Sequence, residues 1–78
     1  MAITAYVLIQ TEVGKAANVA STVRAIDGVV AADDVTGPYD VIVRTEGATL
    51  DDIARMVVKQ IQAVEGITRT FTCPVVNI

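Results

Sequence analysis

The sequence predicts an α+β chain of order βαββαβ, on three observations. The chain repeats itself at an offset of 38 positions (66 minus 28). Each half carries one stripe of apolar residues at helical spacing. Runs rich in Val, Ile, Thr and aromatic residues, which strands prefer, flank both stripes.

The first strand is read over AITAYVLIQ (residues 2–10). The first helix follows, with Ala16, Val19, Ala20, Val23 and Ile26 on one face and Asn18, Ser21, Thr22 and Arg24 off it. Gly28 stands where a helix-ending C′ glycine would. VVAADDVT (29–36) is the second strand, and Thr36-Gly37-Pro38-Tyr39 joins the two halves. YDVIVRT (39–45) is the third strand. Thr49 with Asp52 three residues on forms a capping box, and Asp51 complements the positive helix end. The second helix buries Ile53, Val57, Ile61 and Val64, with Arg55, Lys59, Gln62 and Glu65 outside, and Gly66 ends it. ITRTFTCPVV (67–76) closes the chain as the fourth strand. In the overlay of the two halves Val19 falls on Val57, Val23 on Ile61, Ile26 on Val64 and Gly28 on Gly66.

Two right-handed βαβ units interleaved in one sheet give a ferredoxin-like arrangement, a four-stranded antiparallel sheet with both helices on one face. Strands one and three are then central, and strands two and four are edges. Pro74 fits an edge strand, where a missing N–H is tolerated. Asp33 and Asp34 discourage association along the other edge. Residues 1–78 are read as one domain.

Composition bounds the function. Of 78 residues, 53% are hydrophobic and 19% charged, too apolar for disorder. Six Lys and Arg against nine Asp and Glu, net charge −3, argue against a surface for nucleic acid or anionic membrane. No apolar run approaches the ~18 residues of a membrane span. The first ten residues lack the basic start of a secretory signal, so the cytoplasm is the expected compartment. A single Cys makes no internal disulfide, and a chain without His has no ordinary zinc or haem site, so no cofactor is expected. A core this small gains only ~3–5 kcal/mol, which makes association the remaining stabilising device.

The sheet supplies a surface for it. A monomer with helices on one face should show polar residues on the other. Here Ile3, Ala5, Val7 and Ile9 point one way while Tyr6 and Leu8 point the other, and Ile42 opposes Val41 and Val43. The second face spans ~400 Å² at strand spacings of ~4.8 Å, a size that marks a contact. A homodimeric α/β sandwich with stacked sheets is expected.

Most chemistry-bearing residues read as structural. Gly14-Lys15 lacks the earlier glycine and the following Ser or Thr of a phosphate loop, and is a helix entry. Asp33-Asp34 and Asp51-Asp52 do not converge on a substrate as acid–base catalysis requires. Cys73 has no His to act as its base and is expected as a small buried residue. Arg44 and Arg69 read as solvated charges at strand ends. The hairpin Val35-Thr36-Gly37-Pro38-Tyr39-Asp40 is different. Gly-Pro serves the turn, but the aromatic and the acid after it exceed what a turn needs. Loop amides for a carboxylate and Asp40 for an ammonium would suit a small zwitterion.

VTGPYDVIV (35–43), the AIDGVVAADDVTG segment that leads into it and VEGITRTFT (64–72) resemble the ligand-binding (RAM) domain of Lrp/AsnC regulators. The resemblance spans essentially the whole chain, and its most specific part is V-T-G-x-x-D. It implies a dimer with stacked sheets that assembles further into rings, commonly octamers, with an amino-acid effector between dimers. It further implies an effector site with Thr36, Gly37, Tyr39 and Asp40 from the hairpin and, through a looser T-x-T pattern, Thr70 and Thr72. Regulators of this kind carry a helix-turn-helix segment ahead of the domain, whereas this sequence begins at the first strand. The expectation is a stand-alone domain that does not bind DNA itself and works with full-length regulators.

The leading expectation is a non-enzymatic, amino-acid-responsive oligomer. A small dimeric enzyme of the same topology, such as a cofactor-free oxygenase or isomerase, is one alternative. A purely structural oligomerisation module is the other. ACT domains share the topology, but the V-T-G-x-x-D hairpin favours the RAM domain.

Overall fold

The computed structural model describes residues 2–76. The expected order is present: β1 (Ile3–Thr11), α1 (Ala16–Arg24), β2 (Val29–Asp34), β3 (Val41–Gly47), α2 (Leu50–Met56), a π-helical turn (Val57–Ile61) and β4 (Ile67–Pro74). The sheet runs β2-β3-β1-β4, antiparallel at every pair. β1 and β3 are therefore central, and Pro74 lies on an edge strand.

The core lies between sheet and helices. Ala5, Val7 and Ile9 of β1 and Val41 and Val43 of β3 are fully buried against Val19, Ala20 and Val23 of α1 and Ile53 and Ile61 of the second helix. Among them stands Thr45, also fully buried, whose hydroxyl donates to the Ala5 carbonyl at 2.9 Å. The Thr49 hydroxyl accepts the Asp52 N–H at 3.1 Å, which starts α2 as its sequence predicts.

The structure departs from the sequence reading at several places, three of them in the backbone and packing of the fold. The second helix is not α-helical throughout: Val57–Ile61 is wound as a π-turn, with the Gln62 N–H reaching the Val57 carbonyl at 2.9 Å. No Pro or Gly marks that place. The cause lies in the stripe. Spacings of four overshoot one turn of 3.6 residues by about 40° each. The wider turn after Val57 takes that drift back, so Ile53, Val57 and Ile61 all stay buried, and Met56 joins them.

Second, the helix glycines are not C′ residues. α1 ends at Arg24, and Gly28 sits at φ +93° in a turn closed by Val29 N–H donating to the Ile26 carbonyl. Gly66, at φ +97°, occupies the same turn between Val64 and Ile67. The repeat is thus conformational as well as sequential. Each glycine carbonyl accepts an N–H at 2.8 Å from the other half's central-strand end, Gly28 from Glu46 and Gly66 from Glu12.

Third, Cys73 is exposed and not buried. It pairs with Tyr6 across β1 and β4, and so stands on the face that the helices leave uncovered.

Candidate functional site

Cross-strand partners share a face, so the register lays out the open side of the sheet. One row reads Asp33, Ile42, Leu8, Phe71 from edge to edge. The next holds Arg44, Tyr6 and Cys73. Tyr6 is 39% and Phe71 42% exposed, and Leu8 and Ile42 between them are half-buried. An apolar centre thus lies open with charge around it. Arg44 stands within this face, 4.0 Å from Glu46, and not at a strand end.

The hairpin between β2 and β3 closes one end of this face. Its base is pinned three times: Val35 N–H donates to the Asp40 carbonyl at 2.8 Å, Asp40 N–H to the Ile9 carbonyl at 2.9 Å, and Thr11 N–H to Asp40 Oδ2 at 2.8 Å. Gln10 Nε2 donates to the Pro38 carbonyl at 3.2 Å. These bonds turn Tyr39 toward β4, where its ring meets Phe71 edge-on at 5.9 Å. The Arg69 guanidinium lies 5.6 Å over the same Phe71 ring. Thr36, Gly37 and Pro38 remain exposed at the tip. Among the described residues, the N–H groups of Thr36, Gly37 and Tyr39 have no partner in the chain.

The six residues expected in the site are therefore split. Thr36, Gly37, Tyr39 and Asp40 form one loop, with Tyr39 on the open face. Thr70 and Thr72 pair with the buried Ile9 and Val7, which places them on the helix side of β4. The Thr70 hydroxyl accepts from Gln62 Nε2 at 2.9 Å. One chain alone does not bring the two groups to one face. The sequence reading missed Gln10, Thr11, Arg69 and Phe71 as neighbours of the loop. Alternation in β4 carried the signal for Arg69 and Phe71, since residues between Thr70 and Thr72 or just before them must point the opposite way.

A family model described as the Lrp/AsnC ligand binding domain matches residues 4–78. No curated protein matches the sequence. Among solved structures, a hypothetical protein from Pyrococcus horikoshii is 32% identical, with 97% of this chain and 92% of that one covered and a TM-score of 0.87. AsnC from E. coli superposes with a TM-score of 0.88 at 18% identity, over 97% of this chain and 52% of its own. A transcriptional regulator from Neisseria meningitidis, solved as an L-Met complex, gives 0.83 at 16% identity, over 96% of this chain and 50% of its own. The chain spans about half the length of these two regulators. Among the described residues, no helix is long and apolar enough to cross a membrane. With nearly every residue inside the family match, the chain belongs to the Lrp/AsnC ligand binding domain family, a family of regulatory effector-binding domains.

Proposed function

We propose that this domain is a non-enzymatic oligomer that binds a free amino acid at the Thr36–Asp40 hairpin and pairs through its open sheet faces. The observation that carries the reading is the juxtaposition of two features. The apolar row Ile42, Leu8, Phe71 needs a cover, and the loop whose free amides suit a carboxylate is braced at the end of that row. Covering the row with a second copy buries Tyr6, Leu8, Ile42 and Phe71, and a further pairing of such dimers brings a hairpin of one copy to Thr70 and Thr72 of another. That division explains why one chain holds the two groups apart. The Neisseria regulator, a protein that shares this fold over about half its length, was solved as an L-Met complex, which supports a ligand of this class. The domain acts in the cytoplasm beside full-length regulators of its family, as a single unit over residues 1–78.

Chromatography with light scattering, run with and without each common amino acid, tests the reading together with thermal melting. Saturating ligand at ~100 times its dissociation constant adds ~2.7 kcal/mol to stability. A dimer or larger particle with a melting shift for one amino acid is the expected result. A lone 8.2-kDa particle indifferent to all of them refutes it.

A second reading, a structural module that binds nothing small, draws on one observation. Asp40 Oδ2 and the Thr70 hydroxyl are already engaged inside the chain. Assembly without any ligand shift distinguishes it.

A further inference from the structure

The outer side of the helical segment 50–61, α2 with the π-turn that follows it, carries an exposed apolar patch that neither the open sheet face nor the hairpin accounts for. Leu50 is 43% and Val58 62% exposed, with the small Ala54 midway between them at spacings of four. Asp51, Ala54, Arg55, Val58 and Lys59 line a shallow, mostly apolar depression of about 330 Å³ there. The charges are ordered along the helix, Asp51 at its start and Lys59 eight residues on. Among the described residues neither makes an ion pair, whereas Arg55 is held by Asp52 at 3.5 Å.

We propose that this face is a two-fold contact between copies of the chain, with the helical segment 50–61 packed antiparallel on the same segment of the partner. The pattern is complementary to itself. A two-fold axis at Ala54 sets Leu50 against the partner's Val58, and each Asp51 against the partner's Lys59. The two Arg55 residues near the axis meet as pairs already neutralised by Asp52, and antiparallel helices oppose their dipoles favourably. Alanine at the crossing permits a close interaxial approach of ~8 Å. A contact of this kind is isologous: one patch serves both copies. It lies on the far side of the layer from the open sheet face and stands independently of sheet stacking. A chain with two different two-fold contacts builds assemblies larger than a dimer.

Cysteine crosslinking tests the geometry. In a Cys73→Ser background, Ala54→Cys places two thiols across the axis, within the ~4.4–6.8 Å between Cα atoms that a disulfide needs. Under mild oxidation this variant forms a covalent dimer faster than Ser21→Cys, an exposed position on the outer part of α1. Lys59→Glu alters both symmetry-related pairs and slows the reaction by about fivefold, the scale of two exposed ion pairs, and adding Asp51→Lys restores it. Crosslinking no faster than at Ser21, or rates blind to both charge changes, overturns the proposal. Repeating the measurement with Leu8→Asp, which disrupts the sheet face, separates the two contacts. Persistence of the Ala54 crosslink there shows that the helix contact stands alone, and its disappearance overturns that independence and the two-fold contact with it.

Discussion

Asp40 accepts the backbone N–H of Thr11 through Oδ2 at 2.8 Å, which makes a residue of the hairpin the terminus of the β1–β3 ladder. The main-chain ladder has its last register pair at Ile9 and Val41. One step further a carboxylate takes the place of a carbonyl, so the acid that marks the V-T-G-x-x-D pattern holds the loop against β1.

Asp40→Ala removes a charged acceptor from a part-buried N–H and is expected to cost about 1.5–3 kcal/mol, read by urea denaturation. Asp40→Asn keeps an oxygen for Thr11 and loses less. If Asp40 also holds an ammonium group, Asn separates the roles: the fold survives while the amino-acid melting shift falls. Equal stability for wild type and Ala removes the bracing role.

Gly28 and Gly66 share one backbone conformation, and an added Cβ meets the Glu46 carbonyl oxygen at 3.3 Å at the first and the Lys15 Cβ at 3.0 Å at the second. Gly28→Ala and Gly66→Ala each combine positive φ with a contact, for an expected loss of about 1–3 kcal/mol. Gly14→Ala, at φ +81° with open space around it, isolates the backbone part and loses less. Three equal thermal denaturation midpoints would contradict this ordering.

Much of this fold is legible in the sequence because the two halves corroborate each other. The 38-residue offset aligns Val23, Ile26 and Val29 with Ile61, Val64 and Ile67, and the turn bonds among the first three recur among the second three. What stays hidden has a physical reason in each case. The π-turn lies where no residue breaks a helix; it answers the angular drift of the buried stripe, which only packing against the sheet reveals. Cys73 follows from strand parity, but composition alone suggests a buried small residue. For the site, the hairpin pattern is local and readable, whereas the bracing by Gln10 and Thr11 joins residues 28 and 29 positions apart. The opposed faces of Tyr39 and Thr70 become visible only once the register of β4 is known.

Thr45 is the one buried polar side chain of the described core, and it is satisfied by the Ala5 carbonyl. Thr45→Val keeps the shape and removes the donor. The expected loss is about 0.5–1.5 kcal/mol, the net worth of one hydrogen bond. Thr45→Ala adds a small void and loses more. A Val variant as unstable as the Ala variant would show that packing, and not the hydroxyl, matters at this position.

Leu8 decides whether the open face is a contact. It lies at the centre of the row between Ile42 and Phe71, half-buried in the single chain, so a charge there reaches water while the chain is alone. Stacking a second sheet on it removes that water. Leu8→Asp then buries an unpaired carboxylate in each copy, a change of about 3–5 kcal/mol against association. Light scattering should therefore find the variant at 8.2 kDa with its circular dichroism intact, under conditions where the wild type is at least a dimer. Ser21→Asp, on the exposed side of α1, leaves the mass unchanged. A Leu8→Asp protein that still associates as the wild type does would mean that the copies meet elsewhere, and the apolar row would need another cover.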